Sequence, residues 1–212
     1  MNEVQVRNIV EAALLAADRP LGLDQLQALF GDEDQRPPRA QLRAALSEIG
    51  AGFADRGIEL REVASGYRIQ VRTQIAEFVS RLWQERPPRY SRALLETLAL
   101  ITYRQPVTRG EIEEVRGVSV STQIMRTLED RNWVRVVGYR DVPGRPALYA
   151  TTHEFLDYFG LRRLEDLPPL AEIRDLDDPN VSLDLAVPAP SETRPPADDR
   201  ADRSKETRAL PE

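Results

Sequence analysis

Residues 91–117, SRALLETLALITYRQPVTRGEIEEVRG, carry two helix starts and two helix stops in one short run. Ser91 reads as the N-cap of the first helix, with Tyr90 outside it and Leu95 inside at the spacing of a hydrophobic staple. Leu94, Leu98 and Ile101, with Leu95 beside them, share one stripe at helical spacing, so that face is expected in a core. Pro106 stops the helix, because it has no amide to donate and disfavours helical geometry in the residue before it. Thr108 and Glu111 then form a T-x-x-E capping box, and Val107 with Ile112 a second staple. Gly117 ends the second helix, since glycine takes the left-handed conformation without a Cβ penalty. Ser119 or Ser121 caps a third helix that turns Ile124, Leu128 and Met125 inward. Three short helices around two tight corners predict a helix-turn-helix core.

The residues after this core specify its type. Trp133–Val137 (WVRVV) and Ala147–Thr151 (ALYAT) are rich in aromatic and β-branched residues, and the loop GYRDVPGRP between them is punctuated by proline and glycine. Helices followed by such a hairpin describe a winged helix. An offset of 86 places Pro20 on Pro106, Leu14 on Leu100, Leu15 on Ile101, Leu21 on Val107, Leu26 on Ile112, Leu29 on Val115 and Gly31 on Gly117, without a gap. After the loop DEDQRPPRA, Leu42 and Leu46 take the places of Ile124 and Leu128. Ile58–Val63 and Tyr67–Val71 then flank Ser65-Gly66, a hairpin signal that puts Leu60, Tyr67, Ile69 and Val71 on one face. The expected fold is mainly α with small β-hairpin wings, an α+β chain of two tandem winged-helix domains.

Thr73–Glu85, with Ile75, Phe78, Val79 and Leu82 on one face, is expected to close the first domain. The domains are therefore drawn at 1–85 and 91–170, joined by a stiff proline-rich linker at 86–90. His153–Phe159 reads as a short helix ending at Gly160, and LRRLEDLPPL after it is expected to lie back on the domain. Residues 171–212 shift to Asp, Pro, Ser, Thr and Arg with few aromatics, a composition that predicts a disordered tail.

Composition narrows the function. The chain has 212 residues, no cysteine and a net charge of −6; the tail holds 11 acidic and 6 basic residues, so the expected domains are almost neutral. Without cysteine there are no disulfides, thiolate metal sites or cysteine nucleophiles. The N-terminus carries acids inside its apolar stretch and lacks a basic leader, which reads as a first helix and not a signal peptide. No apolar run approaches the roughly 20 residues that span a bilayer, so a cytoplasmic location is expected.

The helix from Ser119 to Arg131 holds the position of a recognition helix, but Glu129 and Asp130 offset Arg126 and Arg131, and Glu111, Glu113 and Glu114 precede it. Duplex binding needs uncompensated cations to release phosphate counterions, so a winged-helix transcription regulator is the alternative reading and not the first. Arg135, Arg140 and Arg145 lie along the second wing of a chain with 28 arginines and one lysine, and read as solvated wing residues. The GYRDVPGRP loop runs into a strand and not into a helix N-terminus, so it is a wing tip and not a phosphate cradle. His153, the only histidine, has no cysteine or second histidine beside it for a metal site and no nucleophile elbow in the chain. Trp133 is expected in the core; Trp83 either packs under the domain junction or joins a subunit contact. Two such folds without a catalytic set or a basic face describe a binding scaffold.

Two long segments, ALLETLALITYRQPVTRGEIEEVRGV (Ala93–Val118) and DVPGRPALYATTHEFLDYFGLRRLEDLPPL (Asp141–Leu170), closely resemble the bacterial segregation and condensation protein B (ScpB) family. They share its YRQP corner, GRP wing and LPPL terminator in order; the first half is similar more loosely, and the tail lies outside the likeness. The resemblance implies a non-enzymatic homodimer without cofactors, paired largely through its N-terminal domains. Its C-terminal domains would grip the kleisin ScpA, which bridges the heads of the SMC ATPase, in a nucleoid-associated complex that condenses and segregates the chromosome, with DNA contacted indirectly or weakly. For kleisin contact the resemblance points to Tyr103, Arg104, Gln105, Glu111 and Arg116, with Arg140 and Arg145 on the wing. Leu82 and Trp83 are the residues proposed for the dimer surface.

Overall fold

Asn2 starts the first helix, α1 (Glu3–Ala16): its side chain accepts from the Gln5 amide while the Gln5 side chain accepts from the Asn2 amide. The structure is a computed structural model and describes residues 2–31, 36–82 and 90–169. After α1 come α2 (Leu23–Ala28), α3 (Arg39–Gly52), the antiparallel hairpin β1 (Ile58–Val63) and β2 (Gly66–Val71), and α4 (Thr73–Ser80). Val6, Val10 and Leu14 of α1 meet Leu26 of α2 and Leu42, Leu46 and Ile49 of α3 in one core, and Ile58, Leu60, Tyr67 and Ile69 cover it from the hairpin.

The same plan recurs in α5 (Arg92–Arg104), β3 (Val107–Thr108), α6 (Arg109–Arg116), α7 (Thr122–Asp130), β4 (Val134–Tyr139), β5 (Ala147–Thr151) and α8 (His153–Tyr158). The start and stop signals act as the sequence predicts. Ser91 accepts from the Leu94 amide, Thr108 and Glu111 cap each other, and Gly117 sits at φ 69°. Of the two serines offered as the next cap, Ser121 takes the role, accepting from Ile124. Leu98, Ile101, Ile112, Met125 and Leu128 fill a second core around Trp133, which is 2% exposed and lies within 5.3 Å of the Tyr90, Tyr158 and Phe159 rings. Leu161 and Leu164 of the segment after α8 pack on this core, as expected. The fold is α+β, built of two winged helices.

Four features differ from the sequence reading. Val107 and Thr108, read as staple and cap, also pair with β5, giving a sheet of order β3-β5-β4; Leu21 repeats this in the first half by exchanging two backbone bonds of 2.9 Å with Tyr67. The first hairpin turns at Ala64-Ser65, not Ser65-Gly66, because Val63 pairs with Gly66. That slip moves every cross-strand partner by two positions, the side-chain period of a strand, so Leu60, Tyr67, Ile69 and Val71 keep their common face. The gap-free offset of 86 fails in the first helix: Leu15 is 59% exposed where Ile101 is fully buried. α1 stops at Ala16, well ahead of Pro20, whereas α5 runs on to Arg104, and the extra extended chain shifts the inward face by one position.

The fourth difference concerns the helix expected to close the first domain. α4 ends at Ser80 and buries no residue; Phe78 is 65% and Leu82 79% exposed. Its start is fixed, since Arg72 donates to the Phe53, Ala54 and Arg56 carbonyls and Ile75 approaches Gly57 too closely for a Cβ there. Beyond that anchor the apolar face points to solvent. Residues 83–85 of the expected helix, Trp83 among them, positions 86–89 of the 86–90 linker and the tail at 171–212 lie outside the described residues.

Candidate functional site

The Pro106 corner ends α5 and starts β3, which puts the last turn of α5, one face of α6 and the start of the wing loop at Arg140 beside one another. Between them lies a shallow groove of about 400 Å³ lined by Arg104, Pro106, Val107, Glu111, Glu114, Val115 and Arg140. Glu111, Glu114 and Val115 fall on one face of α6 at steps of three and four. Pro106, Val107 and Val115 are the apolar part of the groove's lining, beside two arginines and two glutamates. Arg140 contacts both Glu111 carboxylate oxygens, at 2.8 and 3.0 Å. The Thr108 amide and hydroxyl, with the Arg140 guanidinium beside them, hold the Glu111 carboxyl below the usual carboxylate range. The Glu111 carboxylate is therefore charged at neutral pH. Arg104 is exposed, with no side-chain partner among the described residues.

The remaining sequence-proposed residues are placed elsewhere. Tyr103 Oη donates to the Pro168 carbonyl at 2.5 Å and holds the segment after α8 against α5; burial pushes its pKa up. Gln105 Oε1 accepts from the Thr151 amide at 2.7 Å and the Thr151 hydroxyl at 2.9 Å, which stitches the helix end to β5. Arg116 has a side chain only 10% exposed and donates to Glu96 at 3.1 Å, tying α6 to α5. Arg145 sits exposed at the wing tip at φ 38°. The groove thus brings Arg104, Glu111 and Arg140 together and leaves out Tyr103, Gln105, Arg116 and Arg145. Sequence reasoning missed Pro106, Val107, Glu114 and Val115 as lining residues, although the helical spacing of the last two from Glu111 was there to be read.

Other candidates are committed to the fold. In α7 Arg126 pairs with Asp130 at 3.7 Å, and Arg131 lies over the Tyr90 and Trp133 rings at 4.9 and 5.6 Å. Glu113 accepts from the Val120 amide at 2.9 Å and pairs with Arg109 at 3.0 Å, closing the corner between α6 and α7; those bonds hold its carboxyl below the usual range. His153 is exposed at the start of α8, where Thr152 supplies the cap. Among the described residues no group of three or more His, Cys, Asp or Glu could hold a metal ion, and no helix is long and apolar enough to cross a membrane.

A family model described as segregation and condensation complex subunit ScpB matches residues 8–170. The chain belongs to this family. Two relatives agree with the assignment. The segregation and condensation protein B homolog of Coxiella burnetii is 54% identical over 177 residues, covering 84% of each chain. The segregation and condensation protein B of Syntrophotalea carbinolica is 46% identical over 185 residues, covering 86% of this chain and 91% of its own. The crystal structure of ScpB from Mycobacterium tuberculosis is 35% identical, covers 76% of this chain and 98% of its own, and superposes with a TM-score of 0.35. The ScpB family is described as a subunit of the segregation and condensation complex.

Proposed function

We propose that this ScpB-family chain is the non-enzymatic scaffold of a chromosome condensation and segregation complex. In this reading its second winged helix binds the kleisin ScpA, which connects it to the SMC ATPase at the nucleoid, while its first winged helix pairs with a second copy. The observation that carries the reading is the groove at the Pro106 corner. Its lining, part apolar and part carrying both charges, fits one face of an amphipathic protein segment, and Arg104 is exposed with no partner among the described residues. The exposed Phe78 and Leu82 on α4 and just past its end supply the apolar patch that pairing of two copies requires.

The test is solution mass by light scattering after size exclusion, for the chain alone and mixed with the kleisin of the same genome. A dimer that moves into a heavier stable complex is the expected result; a monomer indifferent to the kleisin would sink the proposal. Arg104→Glu reverses an exposed charge that has no partner among the described residues, so it is expected to weaken kleisin capture while leaving the melting temperature nearly unchanged. Unaltered capture by that variant removes the groove from the interface.

A further inference from the structure

The first wing ends against the second domain. Ala64 and Ser65 are the turn of the β1–β2 hairpin, and the ladder stops at Val63 and Gly66, leaving their amides unused by it. The Ala64 amide donates to the Leu161 carbonyl at 3.0 Å and the Ser65 amide to Asp157 Oδ1 at 2.9 Å. Arg61 Nε donates to the Gly160 carbonyl at 3.1 Å, and Arg162 pairs with Glu62 at 3.2 Å. Ala64 packs on the second core and Val63 is buried.

The end of α8 is shaped to receive these groups. Leu161 donates to the Leu156 carbonyl at 2.8 Å and Gly160 to the Asp157 carbonyl at 3.2 Å, with Gly160 at φ 68°, a Schellman closure. It leaves the Gly160 and Leu161 carbonyls facing outward, beside the Asp157 carboxylate and at the negative end of the helix. Acceptors on one domain thus face donors on the other. A Cβ at position 160 would stand 3.2 Å from Arg61 Nε, so the glycine also makes room for the arginine. Nor is the wing a loose arm. Its base is fixed by the paired bonds between Leu21 and Tyr67, and Gly66 lies so close to Leu21 that a Cβ would be 2.3 Å from its carbonyl oxygen. Phe159, adjacent to the docking point, packs on Trp133, which also holds Tyr90 at the entrance to α5. The second domain is therefore joined to the first by the chain that enters at Tyr90 and, separately, by the wing at the end of α8.

We propose that the first wing is an interdomain clamp: Arg61, Ala64 and Ser65 dock on Asp157, Gly160 and Leu161 and fix the angle between the two winged helices of one chain. A covalent tether alone lets a domain swivel; a second set of contacts, directional hydrogen bonds from the wing, does not. Three of the four polar contacts use a backbone atom, so added salt acts mainly on the exposed Glu62–Arg162 pair and leaves the clamp closed.

The chain lacks cysteine, so Ser47→Cys and Gln123→Cys, at exposed positions on α3 and α7, accept spin labels without a background. Pulsed EPR on labelled chain diluted in excess unlabelled chain is expected to give one narrow distance distribution, which Arg61→Ala with Asp157→Ala broadens. Hydrogen exchange at the Ala64 amide is expected to be slow in the parent and roughly tenfold faster in that variant. A broad distribution in the parent, or an unchanged one in the variant, overturns the clamp. So does a defined distance found only between one copy labelled at 47 and another labelled at 123, since the contact would then join two chains. Circular dichroism establishes that the variant is folded; Arg61→Ala alone, at a half-exposed side chain on the hairpin, carries the same test if the double variant is not.

Discussion

Thr108 shows how much one residue can hold in this fold. It is buried, pairs with Leu148 in the sheet, caps α6, and donates both its amide and its hydroxyl to Glu111. Those bonds, with Arg140, depress the Glu111 carboxyl pKa in the folded chain. As pH falls, the unfolded chain takes up the proton first, so this contribution is complete above the ordinary carboxylate value of about 4.3 and is lost as pH drops through the lower folded value. Glu111→Gln is therefore expected to flatten the fall of melting temperature between about pH 5 and pH 3, measured by differential scanning fluorimetry. An equal slope in parent and variant would mean that the other carboxylates held below their usual range, Glu96, Glu113 and Asp166, account for the acid sensitivity.

At the scale of elements, α4 differs from the other helices. It has the spacing of a core helix, yet it buries none of its residues within the chain. Its anchor at Arg72 and Ile75 does not involve Phe78. Phe78→Asp is accordingly expected to leave the circular dichroism spectrum and melting temperature close to those of the parent at low concentration. The same substitution is expected to raise the dissociation constant of self-association by at least about tenfold, since burying an unpaired charge costs more than about 1.4 kcal/mol. Sedimentation equilibrium measures it, and unchanged association would place the contact between copies on another surface. α5 and α6 present the opposite case. Their starts, stops and inward faces were legible because each signal is local: a cap lies within three residues of the amide it satisfies.

For the whole molecule, the two cores share no residue, and the clamp between them consists of a few hydrogen bonds, an ion pair and the packing of Ala64. Core loss in one domain should therefore be felt mostly in that domain. Leu128 is fully buried in the second core, and Leu128→Ala is expected to cost about 2–5 kcal/mol there. Scanning calorimetry is expected to resolve two transitions in that variant, one displaced to lower temperature and one near its parent position. A single displaced transition would mean that the clamp couples the domains more strongly than its few contacts suggest.

The sequence by itself determined the winged-helix core of residues 91–151, the duplication behind it and the family, because caps, prolines, glycines and apolar spacing act over a few residues and leave their mark in order. It also supplied three residues of the groove, Arg104, Glu111 and Arg140. Tertiary structure alone decided that Gln105 and Arg116 are spent inside the fold, on Thr151 and Glu96, since the partners of a side chain far along the chain have no local signature. It decided the third strand in the same way: two residues are too few to show a period, and β5 had to be beside them before they could pair. The face of α4 and the clamp belong here too. An apolar stripe states that a helix will be covered but not by what, and the bonds from Ala64 to Leu161 and from Ser65 to Asp157 come from backbone amides, which nearly every residue carries and no pattern marks.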